Sequence, residues 1–163
     1  MNVSRPGQRR RKILLALVCL TVSGTLWAQT QQQHVHQMAH TVMPFDMART
    51  LHIFRMTTTG GVEQVIVRDP ADNKQIALIR QHLSHEARRF QQGNYRDPAT
   101  LHGDHMPGLQ ALQAGASDIQ IGYSDLPNGG QITFTTTDLT LLTAIHRWFG
   151  AQLSEHGADA RAE

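Results

Sequence analysis

The sequence predicts an α+β fold: two β-hairpins forming an antiparallel sheet with two helices packed on one face, in the order ββα–loop–ββα. Three observations predict it. Apolar and polar residues alternate in four short runs, the period of a half-buried strand. The stretches 58–61 (TTGG) and 127–130 (PNGG) supply turns that pair those runs two by two. After each pair comes a longer stretch with apolar residues at spacings of three and four, the helical period. Sheet and helices each carry one apolar face, and stacking them buries both.

The elements follow in order. Residues 29–48, rich in Gln, His and Met, show no sustained apolar period and are expected to be a flexible segment or extended lead-in. A strand over 50–57 leads into the first turn, and 62–68 (VEQVIVR) forms its partner. Asp69 is the expected N-cap of the first helix, with Pro70 at its first position, where a missing N–H costs nothing. Ile76, Ile79, Leu83, Ala87 and Phe90 form one stripe, and Gly93 follows the helix end near Gln91. Residues 94–117 read as loop around Asp97-Pro98 and Met106-Pro107-Gly108, with a short helical turn over 109–114. Ile119, Ile121 and Tyr123 mark a third strand, Ile132 and Phe134 a fourth. Asp138 caps the last helix, whose Leu141, Leu142, Ile145, Trp148, Phe149 and Leu153 face the core and which Gly157 stops. The 163 residues thus hold one folded domain, 49–158, with a C-terminal tail over 159–163.

The start of the chain reads as an address. Residues 1–12 are polar and basic, 13–22 (ILLALVCLTV) are apolar, and a small-residue exit leads to an expected cut after Ala28. The apolar run is short for a transmembrane helix, which needs about 20 residues, so no stable membrane span is expected after cleavage. Arg10-Arg11-Lys12-Ile13-Leu14 also resembles a twin-arginine motif, so a periplasmic or secreted protein could leave by either that route or the general one. Five of the fifteen Lys and Arg residues lie in this segment. Without them ten basic residues face thirteen acidic ones, a net charge of −3. A mildly acidic domain lacks the clustered cations that displace phosphate counterions, which sets nucleic-acid binding aside.

The one cysteine, Cys19, lies in the segment to be removed. Disulfides, zinc–thiolate sites, iron–sulfur clusters and thioether-linked haem are thereby excluded from the mature chain. All ten histidines remain. In an extended chain His34, His36, Met38 and His40 point to one side. On the first helix His82 sits at the edge of the apolar stripe, while His85 should be solvated. His102, Asp104, His105 and Met106 lie in a loop fenced by glycine and proline, the densest ligand group in the chain. His146 borders the apolar face of the last helix, and His156, in its final turn, is explained as a cation favoured by the helix dipole. Imidazole with thioether suits copper, above all Cu(I); zinc or a non-covalent haem are the alternative cofactors. No nucleophile elbow, thiol or H-E-x-x-H motif supports an enzyme.

The stretches 43–46 (MPFD), 50–54, His82-Leu83, His102-Gly103, 106–108 (MPG) and 144–149 (AIHRWF) through His156-Gly157 resemble a family of small exported bacterial proteins that often carry the label aspartate carbamoyltransferase. The resemblance spans about Met43 to Ala160 and implies export and a small single domain. The label does not fit the residues: that transferase needs a two-domain α/β architecture, a Ser-Thr-Arg-Thr phosphate-binding stretch and the cytoplasm. The leading expectation is an exported metal-binding protein acting in binding, buffering or delivery, its centre at His102, His105 and Met106, completed by His82 or His146. Its partners would be the metal ion and another periplasmic protein. A small metal- or haem-dependent enzyme or redox protein is the second reading, and a protein-interaction module with incidental histidines the third.

Overall fold

The computed structural model describes residues 31–163; the export-type segment, its cut after Ala28 and Cys19 lie outside the described residues. A helix over 31–42, α1, comes first. The hairpin β1 (Thr50–Thr57) and β2 (Gly60–Val67) follows, then α2 (Asn73–Gln91), α3 (Arg96–His102) and α4 (Leu109–Ala114). The second hairpin is β3 (Gln120–Leu126) and β4 (Gly129–Thr135), and α5 (Leu139–His156) leads to a short β5 (Ala160–Ala162). The sheet order is β3-β4-β2-β1-β5. Both hairpins are antiparallel and join through β2 and β4, whereas β5 runs parallel to β1. The fold is α+β, as the sequence predicts, with a mixed sheet. Among the described residues no helix is long and apolar enough to cross a membrane.

The alternation read in the sequence decides the buried face. Phe54, Val65, Val67, Ile121, Ile132 and Phe134 project from one side of the sheet into the core. Ile76, Ile79, Leu83 and Phe90 of α2 and Ile145, Trp148 and Phe149 of α5 meet them there. Phe90 stacks on Tyr95 with ring centres 4.4 Å apart, and Trp148 sets its edge against both rings. Gly108 starts α4 at φ +86°, and a Cβ there would run into the Ala144 carbonyl. Only glycine allows that approach of α4 to α5.

Four elements differ from the sequence reading. The segment 29–48 is not extended where it is described: α1 buries Val35 and Ala39, and Met43, Phe45 and Met47 after it are buried too. The first long helix starts later than Asp69-Pro70, because Asp72 is the N-cap, accepting from the Gln75 amide at 3.2 Å. Asp69 instead closes a turn through the Ala71 amide. α3 occupies what reads as loop, with Pro98 inside its first turn, where the helix has no acceptor for an N–H anyway. The tail 159–163 supplies β5, whose pairing of Ala160 with His52 makes the sheet mixed.

Candidate functional site

The apolar face is interrupted by polar residues that all reach one place. His52 of β1, Glu63 of β2, Glu86 of α2, and Gln152 and His156 of α5 are buried. With His82, His102, Met43 and Phe45 they line a cavity of about 50 Å³. One water needs about 10–15 Å³ of such space, so the cavity suits a single ion or a few waters and not a macrocycle.

At one end stand the histidines. The His52 and His156 ring centres are 4.8 Å apart, and His156 and His102 are 5.0 Å apart. The Nδ1 atoms of His52 and His156, like Gln152 Nε2 and Trp148 Nε1, are buried without a hydrogen-bond partner among the described residues. Most buried polar atoms find one, and these four belong to residues on the same cavity. The His102 side chain is only 1% exposed, and its Nδ1 donates to Glu155 Oε2 at 2.7 Å. That bond leaves Nε2 with its lone pair, as carboxylate partners of metal-binding imidazoles do.

Burial sets the charges. It holds His52 down to about 3, with the nearby His82 and His102 adding to the effect against the Asp159 backbone. It brings His82 to about 4 despite the Asp97 carboxylate, and it pushes His156 well below the usual range, as do His52, His102 and His36. These three rings are neutral at pH 7, the form that offers a lone pair to a metal. At the other end burial raises Glu63 to about 8, with Glu86 close by. Glu86 rises to about 7 through burial and Asp97, although Arg89 pulls the other way. Arg89 bridges Glu86 at 2.8 Å and Asp97 at 2.6 Å.

The structure divides the residues predicted from sequence. His82 and His102 line the cavity. His105 and Asp104 are exposed beyond the turn at Gly103, and Met106 is buried in the core, so the His102–Met106 loop does not bring its ligands together. His105 lies instead on a separate groove with Leu139 and Arg147. His146 Nε2 donates to the Thr57 and Gly60 carbonyls at 3.0 and 2.9 Å, stapling the first hairpin. Because α1 is helical, His34 and Met38 fall on one side and His36 and His40 on another. The three histidines are exposed and Met38 packs on the core; His36 Nδ1 lies 3.2 Å from Asp159. His156 is buried and neutral, not the helix-end cation expected.

No protein-family model, no curated protein and no solved structure matches the chain. The site therefore rests on its own geometry. Among the described residues no three His, Cys, Asp or Glu side chains are grouped to hold a metal ion. His52, Glu63, Glu86 and Gln152 are the cavity residues that the sequence reading missed. A usable signal existed: each occupies a core-facing position of its element. Glu63 falls in phase with Val65 and Val67 on one face of its strand, and Glu86 follows Leu83 by three on the apolar stripe.

Proposed function

We propose that the protein is an exported copper-binding protein that holds Cu(I) at the buried His52–His156 pair, and that it acts in binding, buffering or delivery. The observation that carries this reading is the pair itself: two neutral imidazoles 4.8 Å apart, each with an unpartnered buried Nδ1 on one ion-sized cavity. Two imidazoles sharing an ion at about 2.0–2.1 Å per nitrogen put their ring centres about 5.2 Å apart at a tetrahedral angle and about 5.5 Å apart at a trigonal one, so the pair would open by roughly half an ångström to hold it. A structural zinc site needs four convergent ligands, more than the described residues group together. Cu(I) accepts fewer and favours a thioether, which Met43 supplies on the cavity wall. His102, oriented by Glu155, packs beside His156 with ring centres 5.0 Å apart.

The test is competition between Cu(I), Cu(II) and Zn(II) for protein purified from the periplasmic fraction, at matched free-ion levels. One tightly held Cu(I) per chain is expected. His156→Phe, which keeps a ring of similar volume, should lose it while circular dichroism shows the fold intact; His105→Ala should keep it. Tight, stoichiometric Cu(I) in His156→Phe, or a clear preference for zinc, would overturn the reading.

A further inference from the structure

Three carboxyls line the cavity, and two of them, Glu86 and Asp97, share Arg89. Glu63 has no such partner among the described residues. It is 8% exposed and stands on the core-facing side of β2. Its cross-strand partners are apolar, Phe54 on β1 and Ile132 on β4. No cation and no hydrogen-bond donor among the described residues meets its carboxyl, on which burial and the Glu86 carboxyl alone act. A buried carboxylate is unfavourable unless it is paired, so this one must keep a proton or take a cation from outside. The wall around it is apolar too, with Phe45, Leu83 and Phe90. His52 pairs with Val65, which makes it the diagonal neighbour of Glu63 on the same face of the sheet. The neutral His52 ring leaves its Nδ1 unpartnered.

We propose that the carboxyl end of the cavity binds a small primary alkylamine in its ammonium form, with Glu63 as the counter-ion. The proposal does not rest on the Cu(I) reading. An ammonium supplies the charge that Glu63 lacks, and its three N–H groups suit a carboxylate oxygen and an imidazole lone pair. Its alkyl part suits the apolar wall. A hard metal cation would need about six oxygens, and Glu63 offers two at most. Size limits the head group: 50 Å³ is room for about three to five waters, so a nitrogen with two or three carbons fills it. A longer chain has an exit, because an open groove of about 360 Å³ between α1 and α2 shares Val42, Met43, His82 and Asp97 with the cavity.

Calorimetric titration of the purified protein with propylammonium chloride reads the site, with a chelator present and above pH 8, where Glu63 is ionised. One saturable site per chain is expected. Propan-1-ol has a similar shape without the charge and should bind at least about tenfold more weakly. Glu63→Gln, which keeps the shape of the side chain, should weaken propylammonium binding by a similar factor. His156→Phe should keep the amine, which separates this site from the copper pair. Equal affinity for propylammonium and propan-1-ol in the unaltered protein would overturn the proposal, and so would the absence of saturable binding. Undiminished binding by a Glu63→Gln protein that circular dichroism shows folded would overturn it as well.

Discussion

His146 and His156 lie on the same helix and do opposite things, because their ring nitrogens meet different atoms. His146 donates to two hairpin carbonyls, whereas His156 keeps an unpartnered Nδ1 inside the core. His146→Ala should therefore strip two carbonyls of a donor and cost about 1–3 kcal/mol, read as a lower urea midpoint, with copper stoichiometry unchanged. Copper lost at constant stability would reverse that assignment. The sequence reading took His146 as a candidate ligand and His156 as a helix-end cation, because no local pattern tells which carbonyls a ring will meet. The buried carboxyls, which the sequence reading missed, left the clearer signal. Glu63 and Glu86 stand at inward positions of clear period-2 and period-3.6 patterns, and an ionisable side chain on an otherwise apolar stripe is expensive unless it has work to do.

Hairpins and long helices were legible as elements because each carries its own turn or cap: the strand over Thr50–Thr57 and the Asp138 cap stand where the pattern puts them. α1 was legible too, in retrospect. Val35, Met38, Ala39 and Val42 are spaced by three, one and three, one face of a helix, but the Gln and His between them masked the stripe. β5 could not be read, since three residues carry no period and its partner β1 is distant in the chain. The position of α1 matters for the site, because Val42, Met43 and Phe45 at its end wall the cavity. Gln31 also bonds Glu155 at 3.2 Å, and Gln32 bonds the His156 carbonyl at 3.3 Å. Val35→Ala, at a fully buried position, should cost about 1.5–3 kcal/mol and raise hydrogen exchange at the end of α5. An unchanged exchange pattern would mean that α1 is not the cover of the cavity.

For the molecule as a whole, the buried ionisable groups oppose one another across the pH scale. His52, His82 and His156 are depressed in the folded protein, two of them to about 3 and 4. Unfolded, they bind protons near 6.5, so stability is present above that pH and lost as pH falls toward the folded values. Glu63 and Glu86 are raised, to about 8 and 7, from 4.5. Their contribution is present below about 4.5 and lost as pH rises through 7 and 8. Three histidines outweigh two carboxyls between those limits, so metal-free protein should be most stable near pH 6.5, where the histidine contribution is complete. Urea midpoints flat from pH 5 to 8 would contradict this. The elements around the cavity are also remote in sequence: at the start of α1, Gln31 and Gln32 meet Glu155 and His156 at the end of α5 across 124 positions. Closing so long a stretch is entropically slow and cannot precede the local hairpins and helices. The chamber is thus completed only when the rest of the molecule is in place, and a half-folded chain holds its buried histidines in no fixed arrangement.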